Sequence, residues 1–167
     1  MTKTKQTTKT SRNDPLRVDF LTSDVLGLPG RIGLTIAPGK KDRGRNWDRD
    51  LTVDLARLVS EYQAALLVSL MEEAEYAMLG IPDLLARAEA AGIATRWFPI
   101  RDVAAPTARD MNRARQLVAD IVAGARLGQT VVIHCRGGIG RSGLIAAACL
   151  VELGHRPSEA IELVRQA

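Results

Sequence analysis

The sequence predicts one α/β domain, a mainly parallel central sheet with helices on both faces. Three observations predict it. A chain of 167 residues is long enough for one core and too short for two well-packed ones. Apolar stretches of strand length alternate with longer stretches of helical periodicity. One of the short stretches, Ala65 to Leu70, is apolar almost throughout, as a parallel strand covered on both faces must be.

The elements follow in order. Residues 1–15 are rich in Thr and Lys, have little to bury, and are expected to form a disordered basic tail; residues 16–167 form the domain. Arg31 to Ile36 reads as an early strand. Pro38 to Asp50 is a polar loop with charges of both signs. Leu51 to Ser60 places Leu51, Leu55, Leu58 and Val59 on one helical face, with Asp50 as N-cap. After the Ala65 to Leu70 strand, Glu72 to Leu79 predicts a short helix. Ile81-Pro82-Asp83 opens a helix running through Ala91, with Pro82 in its first turn and Gly92 at its end. Thr95 to Phe98 is a strand stopped by Pro99.

From Thr107 to Ala125, Met111, Ala114, Leu117, Val118, Ile121 and Val122 recur at helical intervals. Thr130 to His134 is the most strand-like stretch of the chain. Arg141 to Leu153 is helical and apolar almost all round, hence buried, and Gly154 ends it. Pro157-Ser158-Glu159 begins a last helix that is still in progress at Ala167.

Composition narrows the function. Apolar residues at 46% and charged residues at 25% fit a globular chain. No apolar run approaches the roughly 18 to 20 residues of a membrane span, and the N-terminus has no apolar signal core, so no membrane partner and a cytoplasmic setting are expected. The net charge of +4 hints at a polyanion. However, Lys3, Lys5, Lys9, Arg12 and Arg17 against Asp14 account for all of it, and the remaining 150 residues are neutral, so no nucleic-acid partner is expected. Cys135 and Cys149 are too few for a disulfide framework. Cys149 reads as a buried core thiol, too far along its helix to pair with Cys135. No His, Cys and carboxylate cluster has metal-ligand spacing, so neither metal nor cofactor is expected.

The chemistry lies in His134-Cys135-Arg136-Gly137-Gly138-Ile139-Gly140-Arg141-Ser142-Gly143, between a buried strand and a helix. Glycines at 137, 138 and 140 let the loop over residues 136 to 141 turn its N–H groups inward at the positive end of the helix, a nest for a phosphate dianion. Arg141, six residues after Cys135, can grip two phosphate oxygens with its planar fork. Amides, helix end and arginine together favour a nucleophilic thiolate at Cys135. Ser142 can donate to that sulfur and make it a better leaving group. The bland alternative, an inert thiol beside a tight turn, does not explain Cys, three Gly, Arg and Ser in one strand-loop-helix context.

This run resembles the His-Cys-x5-Arg-Ser/Thr signature of the cysteine-dependent protein phosphatases. The chain is most similar to the kinase-associated phosphatase branch of the dual-specificity group, through Gly33 to Gly39, Ile81 to Leu85 and Pro99 to Asp102. The resemblance spans residues 18 to 167 and implies a protein tyrosine phosphatase-like fold. It also implies a general acid on a mobile loop before the signature strand. Asp102, bracketed by Pro99 and Pro106, matches that position; Asp110 is the competitor but falls within a helical pattern. The resemblance makes His134 a loop support and turns Arg136 and Ile139 outward at the pocket mouth. Relatives of this kind continue past the residue equivalent to Ala167, so the domain is expected to be cut short at its C-terminal end.

The expected activity is hydrolysis of phosphotyrosine, with phosphoserine/threonine as further substrates, through a cysteinyl-phosphate. Cys135 is nucleophile, Arg141 phosphate clamp, Asp102 acid then base, and Ser142 the assistant in release. The partner is a phosphorylated protein or small phosphomonoester. Alternatives are a phosphoinositide or other small phosphomonoester phosphatase and, from another class, a phosphate-binding module without turnover. Oligomeric state is not legible. The loop from Lys40 to Arg49 reads as a solvated connection, with a substrate-facing rim as the second reading.

Overall fold

The computed structural model describes residues 7–167. Its elements are β1 (Asp19–Phe20), α1 (Ser23–Leu26), β2 (Arg31–Thr35), β3 (Lys41–Asp42), β4 (Trp47–Asp48), α2 (Leu51–Ser60), β5 (Ala64–Ser69), α3 (Glu73–Met78), α4 (Leu84–Ala90), β6 (Ala94–Trp97), α5 (Met111–Arg126), β7 (Thr130–His134), α6 (Gly140–Glu152) and α7 (Pro157–Gln166). The main sheet runs β1-β2-β7-β5-β6; β1 is antiparallel to β2, and the other neighbours are parallel. This is the α/β architecture expected from the alternation of apolar stretches.

Two apolar layers sandwich the sheet. Along β7, Val131 and Ile133 point to the layer built by α5 and α6, while Val132 points to the layer built by α2 and α4. β5 divides in the same way, with Leu66 and Val68 on one side and Leu67 on the other. Both strands are therefore covered twice, which is why they are apolar at successive positions. The register pairs His134 with Thr35 on one side and with Ser69 on the other, so three parallel strands end level. The loops leaving those C-terminal ends meet in one place, where open α/β sheets bind ligands.

Four details differ from the expectations. The helix assigned to Ile81 through Ala91 begins only at Leu84, because Leu84 N–H donates to Ile81 O in a turn that takes up Pro82. A 3-10 turn, Ala108–Asp110, precedes α5. The polar loop contains a small hairpin, β3 against β4, with Asn46 in the left-handed region at φ 57°. Arg49 behind it is buried and makes a two-pronged ion pair with buried Asp54, at 2.8 and 2.9 Å.

The fourth concerns the expected disordered tail. Residues 1–6 lie outside the described residues, but residues 7–15 are docked rather than free. Lys9 N–H donates to Asn46 O at 2.8 Å, and Asp48 N–H returns a bond to Lys9 O at 3.0 Å. Ser11 Oγ accepts from Asp50 N–H at 2.9 Å. Main-chain and hydroxyl bonds hold this segment, and these leave no apolar pattern to read.

Candidate active site

The site is assembled at the C-terminal end of β7. Cys135 follows the strand, residues 136 to 139 form the loop, and α6 starts at Gly140. The loop closes only because position 138 is glycine. Its φ is 71°, and a Cβ there would lie 2.6 Å from the Thr35 carbonyl carbon. This close approach aims the Gly138 N–H at Cys135 Sγ, 3.2 Å away, while Ser142 Oγ lies 3.5 Å from the same sulfur. Burial opposes ionisation of Cys135. Hydrogen bonds from the Ser142 hydroxyl and from the N–H groups of Ser142, Gly138 and Gly137 outweigh it and hold the thiol below its ordinary pKa.

Arg141 sits in the first turn of α6 and is almost wholly buried. Its Nη1 and Nη2 donate to Glu75 Oε2 and Oε1 at 2.6 and 2.7 Å. Nη1 also donates to Ile100 O at 3.1 Å, and Nη2 lies 3.4 Å from Asp102 Oδ1. Among the described residues Nε has no hydrogen-bond partner. Glu75 thus fixes one edge of the guanidinium and leaves the Nε edge for an incoming anion. The Glu75 hydrogen bond raises the Arg141 pKa against the opposing effect of burial.

Glu75 is a functional side chain that the sequence reading missed. Burial would raise its pKa, yet Arg141 and the Glu72 N–H hold the carboxyl below its ordinary value. Glu75 Oε2 accepts from Glu72 N–H at 2.8 Å, so one carboxylate both caps α3 and holds the arginine. The available signal was the spacing Glu72-x-x-Glu75 at a helix start, together with the rule that a buried guanidinium requires a carboxylate.

His134 is fully buried, with Nδ1 3.4 Å from Cys135 O. Burial pulls its pKa down to about 4, so the ring is neutral near pH 7. Asp102 is on the loop after β6, more than half exposed, and reaches the cavity that holds Cys135 and Arg141. Beside it Val103 is 98% exposed and has φ 56°, a conformation that costs a β-branched residue about 1–3 kcal/mol. Asp110 is elsewhere. It accepts from Thr107 Oγ1 at 2.7 Å and lies 3.6 Å from Arg113 at the start of α5.

Ile139 is 82% exposed, as expected, but Arg136 is not turned freely outward. Its Nη2 donates to Asp42 Oδ2 at 2.8 Å, tying the loop to β3. The cavity, about 410 Å³, is bounded on that side by Lys40 and Arg45. Lys40 Nζ donates to Arg136 O at 3.3 Å and stands 4.2 Å from the centre of the Trp47 ring. Burial brings the Lys40 pKa down to about 8. Part of the expected solvated connection is therefore a wall of the cavity.

Comparison with known proteins bears on the same residues. A family model described as a polymorphic toxin system, DSP-PTPase phosphatase, matches residues 44–155, a stretch that includes Glu75, Asp102, Cys135 and Arg141. Cyclin-dependent kinase inhibitor 3 of Rattus norvegicus is 27% identical over 153 residues, which is 90% of this chain and 69% of that protein. The crystal structure of kinase associated phosphatase, with its catalytic-site cysteine substituted by serine, superposes with a TM-score of 0.82 at 24% identity, covering 90% of this chain and 83% of that one. Tk-PTP in its active form gives 0.65 at 25% identity, covering 89% and 82%.

Proposed function

Because the chain belongs to the polymorphic toxin system DSP-PTPase phosphatase family, and so is a cysteine-dependent phosphatase, we propose that it hydrolyses phosphotyrosine and phosphoserine/threonine in proteins through a cysteinyl-phosphate. The observation that carries the reading is Cys135, its Sγ hydrogen-bonded to the Gly138 amide and the Ser142 hydroxyl, lining one cavity with Arg141 and Asp102.

In the first step the Cys135 thiolate attacks phosphorus in line with the ester oxygen. The S–P bond forms, the P–O ester bond breaks, and Asp102 gives its proton to the departing alkoxide or phenoxide. The Nε edge of Arg141 and the N–H groups over residues 136 to 141 bind the three equatorial oxygens, whose charge they match best in the transition state. In the second step Asp102 accepts a proton from water as the water oxygen attacks phosphorus. The S–P bond breaks, and the Ser142 hydroxyl stabilises the returning thiolate. His134, neutral and buried, contributes no proton and supports the turn through the Cys135 carbonyl.

The cavity wall is formed by Lys40, Arg45, Val103 and Ala104, with no aromatic side chain among its described lining residues. That supports acceptance of phosphoserine/threonine beside phosphotyrosine, since an aromatic slot would select a ring. A cytoplasmic setting belongs to the same proposal; the unpaired catalytic thiol suits a reducing compartment.

The test is turnover of a generic aryl phosphate and of phosphopeptides. Wild-type hydrolysis is expected to be blocked by vanadate and lost in Cys135→Ser. Asp102→Ala should lower kcat by about 10²- to 10⁴-fold with little change in KM. Tight phosphate-ester binding without turnover by the intact chain would instead establish a binding module.

A further inference from the structure

We propose that Lys40 and Arg45 form a second anion subsite beside the scissile phosphate, selecting a polypeptide in which an acidic residue flanks the phosphorylated one. The proposal rests on the protein phosphatase reading above and names the substrate class within it.

Lys40 is a built position. It is 6% exposed, its ammonium lies against the Trp47 ring, and one N–H is spent on Arg136 O. The preceding residue, Gly39, has φ 71°, and its N–H donates to Asp54 Oδ2 at 2.8 Å, the same oxygen that accepts from Arg49. Burying a lysine and ordering its stem both cost free energy, so the arrangement is maintained against an intrinsic penalty.

Three of the cations in and behind the cavity wall have a carboxylate in direct contact. Arg136 is paired with Asp42, Arg49 with Asp54 and Arg141 with Glu75. Among the described residues Lys40 and Arg45 have no carboxylate within 4 Å, and both line the cavity that holds Cys135. The scissile phosphate is already served by Arg141 and the loop amides. Two cations remain for a different anion on the same substrate.

A second hollow of about 290 Å³ favours a polypeptide over a compact headgroup. It lies across the loop crest, shares Gly137 with the first, and is walled by Trp47, Lys9 and Arg17. The two hollows together make a cleft with the phosphate loop midway, suited to an extended chain. In the second hollow Lys9 faces Asp14 at 3.7 Å and Arg17 faces Asp19 at 3.9 Å. The preference for an acidic neighbour is therefore one-sided.

Burial brings Lys40 to about 8, with Asp42 opposing and Arg136, Arg45 and Arg49 adding to the fall. The subsite is charged near pH 7 and weakens as the pH rises past that value.

The experiment compares kcat/KM for a phosphopeptide with neutral flanks, the same peptide with glutamates on one side or the other, and a soluble inositol bisphosphate. Wild type is expected to prefer glutamate on one side by about tenfold. That ratio should fall toward one in Lys40→Met and drop in Arg45→Gln. Arg45 is exposed, so its variant reports even if Lys40→Met fails to fold. Equal rates on neutral and acidic peptides would overturn the subsite while leaving the protein phosphatase reading intact. Aryl phosphate turnover with no phosphopeptide hydrolysis would overturn both. Faster turnover of inositol bisphosphate than of any peptide would give the second anion to a headgroup and overturn the polypeptide.

Discussion

Among the described residues Ser142 is the only side chain hydrogen-bonded to the Cys135 sulfur, its other partners being main-chain N–H groups. Replacing it by alanine removes a hydrogen bond to the charged form and nothing that favours the thiol. The sign is therefore fixed: in Ser142→Ala the midpoint of the alkylation rate against pH moves upward. The kcat should fall by about ten- to a hundredfold, the worth of a hydrogen bond to a charged group. An unchanged alkylation profile would remove Ser142 from the mechanism. At this scale Cys135, Arg141 and Ser142 were readable because their chemistry lies within eight consecutive positions. Glu75 was not, because it meets Arg141 across 66 residues; Lys40 was legible only as part of a loop with a substrate-facing rim as its second reading, because it meets Arg136 across 96. No periodicity links positions that distant.

The β3–β4 hairpin depends on a charge pair rather than on apolar packing. Arg49 and Asp54 are both about 1% exposed and hold the segment that carries Lys40. Asp54→Asn leaves a buried guanidinium without its counter-charge and should lower unfolding free energy by about 3–5 kcal/mol, measured by urea denaturation. Asp120→Asn, which breaks the exposed Arg96–Asp120 contact at 3.7 Å, should change it by less than about 1 kcal/mol. Similar losses in the two variants would mean that the buried pair does not anchor the hairpin. The same physics explains which elements could be foreseen. α2, in which an Asp50 carboxylate oxygen accepts from Thr52 and Val53 N–H, has both an apolar face and a cap in its sequence. β3 and β4 are two residues each and bury no alternating face, so their sequence carries no strand signal.

Over the whole molecule, the fold class followed from the alternation of short apolar and longer periodic stretches, because a twice-covered parallel sheet leaves that trace. The strand order β1-β2-β7-β5-β6 did not. It is decided by which strand lies beside β7, a long-range choice that places Thr35 and Ser69 on either side of His134 and so builds the floor of the site.

Placement of the two sulfurs has a further outcome. Cys149 lies about two and a half turns into α6, inside the apolar layer, and its thiol is pushed up to about 12. Peroxide reaching the Cys135 thiolate would yield a sulfenic acid with no second thiol of this chain positioned to condense with it. Recovery then depends on glutathione or another small thiol arriving before the next oxidant. Prolonged peroxide is expected to leave a protein two oxygen atoms heavier at Cys135, inactive and indifferent to later reductant, as read by intact mass and peptide mapping. A reductant-sensitive Cys135–Cys149 crosslink would show that α6 opens far enough to rescue its own nucleophile.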